Sequence, residues 1–162
     1  MHYIFDLDGT VICSKHRQAT LPNGDLDLPH WKQNSTAELV AMDSLLPLVT
    51  MIREKYYSGN HTIIVCTARV LSDFDFSFFM ENDIPYHFML SRPDGCTMRD
   101  CELKDIQLRI HAQNQGISWA KFASRAVIFD DNKAVLTRLK SIGVIPIDAK
   151  DWNSGKLMEA AL

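Results

Sequence analysis

Short apolar runs recur along this 162-residue chain at Tyr3 to Phe5, Thr62 to Cys66, Tyr86 to Leu90, Ala126 to Phe129 and Val144 to Ile147, with helical spacing between most of them. Runs of that length bounded by turn residues read as buried strands. Strands that alternate with helices must return through crossovers, so the expected fold is α/β: a doubly wound, mainly parallel five-stranded sheet with helices on both faces. Four helices are predicted. Leu39 to Tyr57 carries apolar residues at helical spacing, with Asp43 and Ser44 as candidate caps and Pro47 in a first turn. Ser72 to Asn82 has an acidic, capped start and a Phe-rich face. Arg99 to Gln115 is closed by Gly116, and Asn132 to Ile142 by Gly143.

The exception to the alternation is Val11 to Ser35, which contains Pro22, Asn23 and Gly24 and few apolar residues. A long irregular segment inside a compact domain is more often functional than accidental, so 11–35 is expected to be a lid or substrate-contacting loop. Leu26, Leu28 and Trp31 argue that part of it packs. One domain is expected over 1–162, because a chain this long and 46% hydrophobic can bury a core without a second unit.

Two of the predicted strands end in acids. Tyr3-Ile4-Phe5 runs into Asp6-Leu7-Asp8-Gly9-Thr10, and Val127-Ile128-Phe129 runs into Asp130-Asp131-Asn132. Ligands of open α/β sheets bind in the crevice outside the carboxyl ends of the strands, where these carboxylates point. Each cluster read alone also fits a blander origin, a surface Asp-Gly turn for the first and an ordinary helix N-terminus for the second. If the strands are neighbours, Asp6, Asp8, Asp130 and Asp131 converge, and that charge demands a cation. Oxygen-only ligands without paired His or Cys favour Mg2+ over zinc.

A third strand delivers Thr67 at its end, with Arg69 just beyond, and a hydroxyl and backbone N–H groups there suit phosphate oxygens. Asp100 and Lys104 lie four apart on a predicted helix. They form either a weak surface ion pair or a fixed cation facing phosphate with an orienting carboxylate.

Taken in order, these elements resemble the haloacid dehalogenase (HAD) superfamily of phosphatases, with DLDGT at Asp6 to Thr10, Thr67 at a strand end, Lys104 on a helix and the Asp130-Asp131 pair. Within it the chain is most similar to the 3'-phosphatase domain of bacteriophage polynucleotide kinase/phosphatase, through Arg17 in the loop, Thr67-Ala68-Arg69, and Gly95-Cys96-Thr97 leading to Asp100 and Lys104. Thr67-Ala68 in place of Ser-Gly, Asn132 in place of a basic residue and a different 11–35 loop depart from that pattern. The resemblance implies a HAD-like Rossmannoid sheet and a magnesium-dependent phosphomonoesterase. Asp6 is then the nucleophile that forms an aspartyl phosphate, and Asp8 the general acid and base. Metal is expected on Asp6, the Asp8 backbone carbonyl, and Asp130 or Asp131. Thr67, Arg69, Lys104 and Arg17 are expected to stabilise phosphate oxygens, with Asp100 as partner of Lys104.

The implied substrate is a 3'-phosphate at a DNA or RNA end, the alternative being a free nucleoside 5'- or 3'-monophosphate. A receiver-like phospho-Asp signalling module also gathers acids and a Lys at strand ends, but it leaves Asp8-Gly9-Thr10 and the long loop without a role. No Gly-x-x-x-x-Gly-Lys-Ser/Thr loop occurs, so kinase activity is not expected of this sequence.

A formal charge of −3 argues against broad electrostatic wrapping of nucleic acid. Four cysteines without a Cys-x-x-Cys pair, no signal-like start and no apolar stretch approaching bilayer length read as a reduced, cytosolic protein, in the host cytoplasm if phage-encoded. The six histidines are scattered without ligand spacing, and only His16, beside Arg17, is a candidate for substrate contact. The Phe74, Phe76, Phe78 and Phe79 group reads as packing, and Trp31 as a core anchor of the loop ahead of a base-stacking residue.

Overall fold

A computed structural model describes residues 1–156. The elements run β1 (His2–Phe5), β2 (Ile12–Cys13), α1 (Leu28–Gln33), α2 (Ala37–Ala41), β3 (Ser44–Leu45), α3 (Leu48–Tyr57), β4 (Thr62–Cys66), α4 (Asp73–Glu81), β5 (Phe88–Leu90), α5 (Asp100–Asn114), α6 (Trp119–Ala123), β6 (Ala126–Asp130), α7 (Lys133–Ser141), β7 (Ile145–Asp148) and α8 (Ala149–Asn153). Five strands form one parallel sheet in the order β5-β4-β1-β6-β7, the α/β architecture that the alternation predicts.

Successive residues of a strand face opposite sides of a sheet, and here each side has its own core. Phe5, Ile63, Val65 and Phe129 pack on one face with Val49 and Ile52 of α3, Phe78 and Phe79 of α4, and Ala149 of α8. Ile4, Ile64 and Ile128 pack on the other with Leu108 and Ala112 of α5, Phe122 of α6, and Val135 and Leu139 of α7. All are buried, and each of the Val, Leu, Ile and Phe side chains gains about 1.5–3 kcal/mol by it. β1 is consequently the central strand, covered on both faces and flanked by β4 and β6.

Leu39 to Tyr57 is not one helix. α2 stops at Ala41, Ser44 and Leu45 pair antiparallel with Cys13 and Ile12, and α3 starts after Pro47, which occupies the N-cap position. Proline lacks the N–H a helix interior needs, and its ring collides with the carbonyl four residues back, so Pro47 forbids helix through Asp43. Ser72 and Asp75 form the expected capping box of α4, and Phe78 and Phe79 pack inward while Phe74 and Phe76 stay exposed.

The 11–35 segment is more structured than its composition suggests. Val11 and Ile12 belong to the core, Trp31 anchors α1 at 1% exposure, and Ala19 to Asp27 folds back as a hairpin. Its rungs are Leu21 N–H to Asp25 O at 2.8 Å and Asp27 N–H to Ala19 O at 2.9 Å. Among the described residues, no helix is long and apolar enough to cross a membrane, and the four cysteines are free thiols.

Candidate active site

Asp6 immediately follows β1, and its N–H donates to Phe129 O of β6 at 3.0 Å. β6 itself ends at Asp130, so the adjacency of two central strands brings acids 124 positions apart side by side. Lys104, one turn into α5, places its Nζ 2.8 Å from Asp6 Oδ1 and 2.6 Å from Asp130 Oδ2. Asp131 completes the cluster: one carboxylate oxygen from each of Asp6, Asp130 and Asp131 lies within 4.8 Å of the others.

Burial pushes the Asp6 carboxyl well above the usual carboxylate range, with Lys104 opposing and Asp130, Asp8 and Asp131 adding to the rise. Burial and then Asp130 likewise raise Asp131. Lys104 is held well above the ordinary lysine range, because Asp130 and Asp6 outweigh the burial that would lower it. Three crowded carboxylates outnumber the two ammoniums beside them, Lys104 and the exposed Lys150 at Asp131, and a divalent cation would relieve the excess negative charge. The all-oxygen donor set fits magnesium. Gly9 permits the crowding, since at φ +70° it carries no Cβ, and an added one would sit 2.5 Å from Asp131 Oδ2.

Behind the acids lies a buried array of alternating charge. Arg69 grips the Asp8 carboxylate with Nε at 2.8 Å and Nη2 at 2.7 Å, and donates through Nη1 to Asp75 at 2.9 Å. Ser14 Oγ donates a short hydrogen bond to the same Asp8. Arg17 donates to Asp43 at 2.8 and 2.7 Å. Both guanidinium groups stack on Trp31, with their centres 4.1 Å (Arg17) and 4.8 Å (Arg69) from the ring. Burial alone would raise Asp8, but the Arg69 charge and hydrogen bonds, with Ser14 assisting, hold its carboxyl below the usual range.

These positions revise several expectations. Asp6, Asp8, Asp100, Lys104, Asp130 and Asp131 do line one cavity of about 400 Å³. Arg17, Arg69 and Thr67 are fully buried and do not line it. The two arginines are committed to carboxylates, and Thr67 Oγ1 accepts the Arg69 N–H at 3.1 Å. Asp100 is not the partner of Lys104; it accepts from Arg92 Nη2 at 2.6 Å and from the Leu26 N–H at 3.0 Å. Burial, partly offset by that N–H, raises the Asp100 carboxyl above its ordinary value. Asp43 caps no helix and serves as the counter-ion of Arg17. Trp31 is the loop's core anchor, and His16 Nε2–H donates to Leu39 O at 2.7 Å, away from the cavity.

Sequence reasoning missed Ser14, Arg92, Asp43 and Asp75 as parts of this network. The available signal was electrostatic: an arginine directly after a buried strand needs a carboxylate, and Asp75, Asp43 and Asp8 supply it.

The sequence matches the family described as Bacteriophage T5 5'-deoxynucleotidase over residues 1–161. A relative, the 5'-deoxynucleotidase of Escherichia phage T5, is 39% identical over 84 residues, which are 50% of this chain and 34% of that protein. The match thus spans about a third of the relative's length. The fold is similar to a chain of the Pnkp1/Rnl/Hen1 RNA repair complex at TM-score 0.67 and 16% identity, covering 91% of this chain and 41% of that one. It is also similar to a HAD-superfamily hydrolase, subfamily IA, from Geobacter sulfurreducens at TM-score 0.57 and 14% identity, covering 93% and 96%. The ordered motifs, the sheet and a family match over nearly the full sequence agree: the chain belongs to the Bacteriophage T5 5'-deoxynucleotidase family and shares its fold with the HAD-superfamily hydrolase.

Proposed function

We propose that the chain is a magnesium-dependent phosphomonoesterase that removes the 5'-phosphate from free deoxynucleoside monophosphates through an aspartyl phosphate on Asp6. The observation that carries this reading is the meeting of Asp6, Asp130, Asp131 and Lys104 around one cavity, in a chain whose family is named for that activity.

Asp6, Asp130 and Asp131 would hold the ion, together with the backbone carbonyl of Asp8. Magnesium bound there supplies positive charge that screens an attacking carboxylate from a phosphate dianion. Asp6 Oδ attacks phosphorus as the bond to the leaving oxygen breaks, and Lys104 faces the charge that develops on the phosphoryl oxygens. The leaving oxygen takes its proton from Asp8. Arg69 keeps Asp8 ionised before substrate arrives, and an entering phosphate dianion raises its proton affinity by like-charge repulsion, so that Asp8 takes up from solvent the proton it then passes to the leaving oxygen. As carboxylate again, Asp8 draws a proton from the water that hydrolyses the aspartyl phosphate. Arg17 and Arg69 act by fixing Asp8, Asp43 and Asp75, and Thr67 by fixing Arg69. Within a single domain, the 11–35 segment supplies the substrate-facing hairpin through Thr20, Asn23, Gly24 and Leu26.

A terminal 3'-phosphate on DNA or RNA is the second reading. The Arg17, Asp100 and Lys104 pattern and the fold likeness to the Pnkp1-containing complex support it. A phosphate-release panel across deoxynucleoside 5'-monophosphates, 3'-monophosphates and oligonucleotides with terminal 3'-phosphate, with and without magnesium, separates the two. Preference for the 5'-monophosphates supports the first reading, and preference for oligonucleotide ends replaces it with the second.

A further inference from the structure

The hairpin from Ala19 to Asp27 crosses beside the acid cluster and is pinned at two places. On its return strand the Leu26 N–H donates to Asp100 Oδ2 at 3.0 Å, tying it to the start of α5. At its tip the Gly24 carbonyl accepts from Asn132 Nδ2 at 3.2 Å, tying it to the start of α7. The tip is stiff in itself: Gly24 takes φ +87°, its N–H reaches Leu21 O at 2.9 Å, and Asn23 Oδ1 accepts the Asp25 N–H at 3.0 Å. Thr20, Asn23, Gly24 and Leu26 thereby wall the cavity whose other side is Asp6, Lys104 and Asp130.

Asn132 has three tasks at once. Its backbone N–H donates to Asp130 Oδ1 at 2.9 Å, its side-chain oxygen caps α7 through the Ala134 N–H at 2.9 Å, and its amide nitrogen holds the hairpin tip. A second cavity, of about 500 Å³, adjoins the first across Gln18 and Thr20. The Lys150 ammonium, 3.3 Å from Asp131 Oδ2, stands in the wall common to both.

We propose that Asn132 is a specificity-determining latch: by fastening the hairpin tip to α7 it limits the leaving group to a single nucleoside and excludes the same phosphate carried by a longer strand. This rests on the monophosphatase reading of the site. A phosphate seated at Asp6 and Lys104 leaves its nucleoside between the hairpin and the ends of α7 and α8. A second nucleotide would have to pass the strap or displace Lys150 from Asp131. At about 400 Å³ the cavity lies near the lower end of the usual range for small-ligand sites, about 300–1,000 Å³.

The test compares kcat/KM for a deoxynucleoside 5'-monophosphate with that for a 5'-phosphorylated trinucleotide, in the wild type, in Asn132→Ser, and in a chain with 21–24 replaced by two glycines. Serine keeps an oxygen to cap α7 but cannot reach Gly24 O, and the shortened hairpin removes the tip while keeping Asp25 and Leu26. The wild type should favour the monophosphate by about 100-fold or more. Each variant should lower that ratio at least about tenfold, mainly by gaining on the trinucleotide, with KM for the monophosphate rising more than kcat falls. A wild-type ratio near one, or ratios unchanged in both variants, overturns the latch. Hydrolysis of p-nitrophenyl phosphate, whose leaving group carries no nucleoside and no strand, reports the phosphatase reading separately: its absence in the wild type would sink that reading, whatever the ratio does.

Discussion

Arg69 holds Asp8 by a two-pronged ion pair, 2.8 and 2.7 Å, with the guanidinium closed off from solvent. The same arginine reaches Asp75, and Arg17 beside it reaches Asp43, so removing one cation strands several buried carboxylates. Arg69→Ala should cost about 3–5 kcal/mol of unfolding free energy in urea titrations. Arg69→Lys keeps the charge but loses the fork, so it should fold with a smaller loss and show reduced kcat.

Gly9 gives a sharper dissection of the metal site. Gly9→Ala places a Cβ at positive φ and 2.5 Å from Asp131 Oδ2, forcing that carboxylate aside. Stability should fall by about 1–3 kcal/mol. The concentration of magnesium needed for half-maximal activity should rise by about tenfold or more, since a displaced ligand weakens a metal site at least as much as a lost supporting contact. Equal magnesium requirements in the two proteins would separate Asp131 from the ion.

Cys66 ends β4 beneath the site, and burial pushes its thiol up to about 12. The native protein therefore retains that proton between its unfolded value near 9 and about 12, while the unfolded chain loses it, so the contribution of Cys66 weakens native stability as pH rises through that window. Cys66→Ala should flatten the alkaline limb of a thermal-stability profile above about pH 9. Iodoacetamide at pH near 8 should label the half-buried Cys13 and Cys96, and spare the buried Cys66 and Cys101 until the protein unfolds. Mass spectrometry reads the pattern directly.

The sheet was legible because its strands are short apolar runs, those of β1, β4 and β6 largely buried, that end at polar residues. Convergence of Asp6 with Asp130 followed from the same logic, since chemistry in such sheets gathers at strand carboxyl ends. What failed to show was pairing. Local spacing suggested Asp100 with Lys104, but one turn apart on a helix is only an opportunity, and tertiary packing gave Asp100 to Arg92 and Lys104 to the acids. Arg17 and Arg69 looked like phosphate ligands because a sequence does not reveal that Asp43 and Asp75 fold back onto them. The broken helix at Pro47 was open to a stricter reading of what proline does to the turn before it.

Asp6→Asn removes the attacking oxygen's charge while keeping its shape, so circular dichroism and thermal stability should remain close to wild type. Phosphate release from a deoxynucleoside 5'-monophosphate in the presence of magnesium should drop by at least about 10³-fold, and chelation of the metal should silence the wild type comparably. Activity that persists in folded Asp6→Asn, or in the wild type stripped of divalent ions, would contradict a metal-screened nucleophile at the end of β1.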